Sequence, residues 1–299
     1  MRTREEALPS LTPDLVGRLT KALGRSGRVL RRNPTMAAGL VVIFIMGLLA
    51  LIAPLITPVD PRHLDPVNRL IAPSNAHWFG TDHLGRDLYT RTIFGSRVSL
   101  LVGFSVAILT MAMGVVLGLL SGYYPRVDML LQRVMDGLMA IPAILLAIAM
   151  MAMLGASVQN VITSLVVVDA PRATRVVRAS VLSLREQTFV DAARAIGTPP
   201  WRILAFHIFP NTIAPLIVQG TFICASAVII EAYLSFLGAG TPPDIPSWGN
   251  IMAEGRGYIQ RAIWIILFPG IALALTVLGI NLVGDGLRDN LDPKLRRRL

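Results

Sequence analysis

Few side chains in this 299-residue chain are equipped for bond chemistry, and those few are scattered. Four carboxylates, Asp136, Asp169, Glu231 and Asp285, fall in or beside apolar runs. Carboxylates inside a membrane are costly, and where they occur they commonly mark a path or a relay. Acid–base or metal chemistry would need several of them converging with a histidine or cysteine. Here they stand in different runs, and none has such a companion at ligand spacing. Asp169 has Arg172 one helical turn on, the spacing of an interfacial ion pair. Glu231, near the end of its run, either faces a path between the runs or makes a polar packing contact. His63, His77 and His83 share one segment, but their spacing matches no compact metal site and fits a surface role. In the same segment Asp82, Arg86 and Asp87 are suited to order the chain through charge-assisted hydrogen bonds. Cys224, the single cysteine, sits in an apolar run without a partner and reads as a packing thiol. No Gly-x-x-x-x-Gly-Lys-Ser/Thr run occurs, so the chain cannot hydrolyse ATP in the P-loop manner. The sequence leads us to expect no catalytic residue, no metal and no cofactor.

The surrounding elements explain this poverty. Hydrophobic residues make up 54% of the chain and charged ones 15%, against about 25% charged in a soluble domain. The apolar residues gather in blocks long enough for lipid, where every backbone polar group must pair internally, so the blocks should be helices. Six segments predict six transmembrane helices in an all-α integral membrane protein: 36–57, 98–122, 134–155, 158–177, 212–238 and 262–284. The first reads as a retained span, since 35 residues precede it and no small-residue cleavage site follows. The fourth meets Asp169, Pro171, Arg172 and Arg175 in its second half. Six spans put both termini on one side, and of the 28 Lys and Arg this arrangement leaves 21 on that side. The positive-inside rule makes it the cytoplasm. Removing the fourth span would put an arginine-rich loop outside.

The parts are then a cytoplasmic tail 1–35, a first helix 36–57, an extracytoplasmic loop 58–97, a core 98–287 and a tail 288–299. Within the first tail, Leu15 to Leu30 reads as a surface helix along anionic headgroups, with a disordered segment as the alternative. The net charge of +10 does not imply nucleic acid, because the arginines flank apolar blocks without interleaved aromatics. Gly114, Gly118 and Gly122 make a smooth stripe for close helix packing. Pro142 and Pro269 are placed to kink their spans.

One loop, 180–210, has a pattern of its own. Glu186 to Ile196 has helical spacing, with Phe189, Ala192, Ala193 and Ile196 expected on one face. Gly197 stands where a helix-ending C′ glycine would, and Pro199 and Pro200 suit the start of a second helix. Trp201, Leu204 and Ile208 supply that helix with an apolar face, and Pro210 with Asn211 is expected to break it. The result is a short helix-turn-helix at the membrane surface.

Asp191-Ala192-Ala193, three residues, Gly197 and then Phe209-Pro210 resembles the Glu-Ala-Ala loop of bacterial ABC importer permeases. Asp191 replaces the usual Glu, His207 stands at an Ile position and Phe209 at a Leu position. The segments 77–87 (HWFGTDHLGRD), 231–238 (EAYLSFLG), 246–249 (PSWG) and 284–293 (GDGLRDNLDP) resemble the second permease of dipeptide, oligopeptide, nickel and glutathione importers. Asp169 departs from the aromatic or small residue this family often carries there. The resemblance covers roughly residues 33–296. It implies the type I permease fold and a bacterial inner-membrane location. The implied partners are a second, similar permease, two ATP-binding subunits and an extracytoplasmic solute-binding protein. Asp191, Ala192, Ala193, Gly197, Trp201, Phe209 and Pro210 would form the coupling loop that docks on the ATP-binding subunit. Di- or oligopeptides are the expected cargo, with nickel, glutathione or opines as the alternative. A stand-alone carrier or a membrane enzyme is the rival class.

Overall fold

The computed structural model describes residues 33–291, so the surface helix expected at Leu15 to Leu30 lies outside the described residues. The elements in order are α1 (Pro34–Ile56), α2 (Leu88–Tyr123), α3 (Pro125–Met139), α4 (Ala143–Leu154), α5 (Val158–Arg185), α6 (Thr188–Ala195), a continuous helical stretch α7 (Pro200–Phe236), α8 (Trp248–Gly255) and α9 (Trp264–Leu291). Among the described residues there is no strand, only an isolated bridge between Thr81 and Asp87.

The expected count of six spans is corrected. Four helices, α1, α2, α7 and α9, are long and apolar enough to cross a membrane. The expected third span is two helices, α3 and α4, bent by 89° where one straight segment was read, and together they make at most a fifth. Pro142 explains the bend: it has no amide proton to continue α3, and it sits as the residue capping α4 with an extended ψ of 131°. Between them, Ile141 is biased away from helical geometry by the proline that follows it. The fourth segment is a helix of 28 residues, α5, but Asp169, Arg172, Arg175 and Arg178 keep it out of the apolar set.

Helix starts follow local chemistry. Asp87 caps α2 by accepting from the Thr90 amide at 2.8 Å, and Ser157 caps α5 by accepting from the Asn160 amide at 3.0 Å. The α2 helix therefore begins ten residues before the expected Val98. Its first turns are polar but turned into protein: Arg91 and Ser96 are each 2% exposed.

The glycine stripe sets the closest helix contact. A Cβ built on Gly114 would lie 2.6 Å from Ala173 Cβ, on Gly118 2.5 Å from Val177 Cβ, and on Gly122 2.6 Å from Val181 Cβ. Thus α2 and α5 run in parallel at one constant register. Lipid tails are as apolar as leucine, so helices in a membrane are held by van der Waals contact more than by water expulsion, and missing side chains permit it. Gly118→Leu should therefore lower the melting temperature in detergent, by an overpacking cost of about 1–3 kcal/mol. Gly137→Ala on α3, where an added Cβ meets nothing within 4 Å, should raise it slightly. Equal melting of the Gly118 variant and the parent would reject the close-packing role.

Candidate functional site

The loop at the far end of α5 folds back under the bundle. Helix α6 is shorter than the expected 186–196, because Glu186 still closes α5. Its end is a Schellman motif: the Thr198 amide donates to Ala193 O at 3.0 Å and the Gly197 amide to Arg194 O at 2.9 Å. Gly197 reaches this at φ +77°, in the left-handed region.

Of the four residues expected on one face, Ala193 alone turns inward. Val190 and Ala193 are the residues that pack inward, against Val177, Val181, Ile203 and Ile208. Ala192 is exposed, as are Phe189 at 40% and Ile196 at 82%. Trp201 also faces out, at 59%, with the Arg202 guanidinium over its ring, while Leu204 and Ile208 are buried. Phe206 adds a further exposed ring, at 69%. Asp191 is exposed and pairs with Arg194 one turn on at 3.1 Å.

Pro210 does not break the chain. The stretch widens into a π segment, Ile203–Ile208, and the Phe209 amide reaches back five residues to Leu204 O. The wide turn ends just before Pro210, whose ring would otherwise crowd the carbonyl four residues back. The Asn211 side chain takes up His207 O at 2.7 Å. Phe209 is half-buried and Pro210 exposed. The corner is therefore stiff, with an apolar outer surface joined directly to a long apolar helix.

At the opposite end of α2 lies a buried ion cluster. Asp82 is 0% exposed and receives Arg86 Nε at 2.6 Å and Arg91 Nη1 at 2.5 Å. Glu254, from α8, receives Arg86 at 2.5 Å and Arg91 Nη1 at 2.6 Å. Burial pushes the Asp82 carboxyl up, but Arg91, Arg86 and two backbone amides outweigh it and hold it below the usual 3.8. His83 comes within 4.8 Å of both carboxylates, yet each is already committed to two guanidinium groups that oppose a cation. His77 pairs with Asp87 at 3.0 Å. Glu254 and Arg91 went unread in the sequence, and nothing local signals a contact spanning 163 residues.

The carboxylates of the apolar runs do not converge. Asp136 pairs with Arg175 across α3 and α5, and Asp128 pairs with Arg178 at 2.5 Å. Asp169 is 4% exposed, 3.9 Å from Arg172, with Oδ2 unpartnered. Glu231 has no exposed surface and accepts from Ser99 at 3.2 Å and Ser235 at 2.9 Å, within a network that runs on to Thr241 and Asn250. Asp285 is exposed on α9.

Residues 114–297 match the family model described as the binding-protein-dependent transport system inner membrane component. The chain belongs to that family. Residues 23–73 of this permease also match the N-terminal transmembrane domain of oligopeptide transport permease C. A Brucella abortus chain named as a peptide transport system permease is 50% identical, over 91% of this permease and 92% of that chain. The dipeptide transport system permease of Alkalihalophilus pseudofirmus is 46% identical, over 89% and 88%. In structure, a chain of the MetNI methionine ABC transporter in inward-facing conformations superposes with a TM-score of 0.56 at 22% identity, covering 69% of this permease and 96% of that chain. At that identity the likeness shows the fold alone. The chain is thus a non-catalytic, helical membrane subunit of an ABC importer, and ATP-binding subunits and a binding protein are its partners.

Proposed function

We propose that this permease is one half of the membrane path of a peptide importer, driven through the corner formed by α6 and the start of α7. The carrying observation is the exposed apolar set Phe189, Ile196, Trp201 and Phe206 on that stiff corner. Large apolar side chains gathered at a polar surface mark a contact with another protein. In this reading Asp191, Ala192, Ala193, Gly197, Trp201, Phe209 and Pro210 form the coupling loop, and the groove of an ATP-binding subunit receives it. The excess of Lys and Arg on the same side supports a cytoplasmic corner and cytoplasmic termini. The complete machine has a second, similar permease and two ATP-binding subunits. Closure of those subunits on ATP draws the two corners together and rocks the helices between inward and outward access. Relatives named for peptide and dipeptide transport support a peptide cargo. Glu231, enclosed by serines, serves as a polar packing contact between α2 and α7.

Co-expression with the cognate ATP-binding subunit tests the docking. The parent should retain that subunit through affinity purification, and Ile196→Asp with Trp201→Ala should release it while still inserting in the membrane. Retention by the double variant would refute the docking surface. Failure of the reconstituted complex to import a dipeptide with ATP would refute the cargo.

A further inference from the structure

Three ion pairs climb one face of α5, each about one turn beyond the last: Arg178 with Asp128, Arg175 with Asp136, and Arg172 with Asp169. In the third, Asp169 is buried and Arg172 exposed. The register that sets Gly114 against Ala173 and Gly118 against Val177 puts Asp169 level with Thr110, one turn further along. Thr110 is 13 residues from the end of α2 at Tyr123, roughly 20 Å along the helix at 1.5 Å per residue.

Along this stretch the face is open. The side chains of Arg172, Arg175 and Asp136 are 62%, 43% and 63% exposed. Charges at membrane depth turn towards a water-filled cavity or a partner rather than towards lipid tails. Asp169 lies just behind them with its side chain 6% exposed and Oδ2 unpartnered, and Thr110 Oγ1 is likewise buried and unpartnered. A buried carboxyl oxygen without a hydrogen-bond partner is rare in protein interiors and calls for one. Arg172 is the cation paired with it, at a contact too long for a hydrogen bond.

We infer that Asp169 and Arg172 form an intramembrane subsite for the two charged ends of a peptide in transit. Asp169 receives the α-ammonium group, and Arg172 turns outward to the α-carboxylate. The Arg175–Asp136 pair keeps the neighbouring wall polar. This rests on the peptide-importer reading above.

The test uses the assembled importer, with both permeases, the ATP-binding subunits and the binding protein, in proteoliposomes supplied with labelled dialanine. Wild-type uptake comes first: if there is none, the peptide reading falls and this subsite falls with it. Given wild-type uptake, Asp169→Asn, which keeps the shape, should lower dialanine imported per ATP hydrolysed roughly ten- to hundredfold, as loss of one charge-assisted hydrogen bond would. ATPase stimulation by loaded binding protein and the subunit ratio should stay unchanged. Arg172→Gln should act in the same direction, and Asp169→Glu should recover part of the loss. Unchanged uptake per ATP in Asp169→Asn overturns the subsite while leaving the peptide reading intact. Loss of uptake together with loss of a subunit, or with equal loss of ATPase stimulation, also overturns it, because Asp169 would then be a packing or assembly residue.

Discussion

Gly197→Pro should abolish ATP-driven uptake and the stimulation of ATP hydrolysis by loaded binding protein, while the permease still inserts in the membrane. The reason is the backbone alone. Gly197 sits at φ +77°, and proline is locked near −65°. Proline would also remove the amide that donates to Arg194 O at 2.9 Å, one of the two bonds closing the end of α6. Crowding at the first side-chain atom does not compete, since a Cβ added at 197 meets nothing within 4 Å. A graded series separates conformation from bulk. Gly197→Asn should keep most activity, because asparagine tolerates the left-handed region. Gly197→Val should lose more, with a strain of about 1–3 kcal/mol at that position. Insertion should survive throughout, because Gly197 lies between α6 and α7 and outside every apolar span. Uptake at the parent rate by the proline variant would remove the corner from the mechanism.

What was legible in the sequence follows from which forces act locally. The helices α1, α7 and α9 are visible because uninterrupted apolar runs have few alternatives in lipid. The glycine at 197 is visible too, since a helix, a glycine and two prolines leave one plausible path. The stripe at 114, 118 and 122 could be read as a contact surface, though its partner α5 could not. Other features fail for physical reasons. Hydropathy misplaces the start of α2, because Arg91 and Ser96 look like loop residues until protein, rather than lipid, surrounds them. It joins α3 to α4, because composition is blind to direction and the 89° turn resides in one missing amide proton at Pro142. The face of α6 comes out differently because an eight-residue helix is oriented by what packs above it. Periodicity put Phe189, Ala192, Ala193 and Ile196 on one face, and the bundle buries Ala193 beside Val190 and leaves the other three exposed. Glu254 is the limiting case: its partners Arg86 and Arg91 lie 168 and 163 residues away.

That ion cluster carries the largest expected change in stability. Arg91 is 2% exposed and bridges Asp82 to Glu254, tying the segment before α2 to α8. Removing one partner of a buried ionic group leaves the others uncompensated, at a cost of about 3–5 kcal/mol. Arg91→Leu should therefore lower the melting temperature in detergent by roughly 10 °C, at about 2–4 °C per kcal/mol for a domain of this size. The exposed pair Arg62–Asp244 is the control, its side chains 58% and 63% accessible, and Arg62→Ala should shift melting little. The pH dependence has a definite sign. Asp82 is held below its ordinary 3.8, so its contribution is fully present above that value and is lost as pH falls through the lower, folded-state value. Melting should then be insensitive to Asp82 between pH 7 and 5, to choose conditions about one to three units above the ordinary carboxylate range. Below about pH 4 the parent should lose stability that Asp82→Asn, already lacking the charge, has no means to lose. Parallel melting curves for the two proteins below that point would show that the two guanidinium groups, and not the Asp82 charge, hold the segment in place.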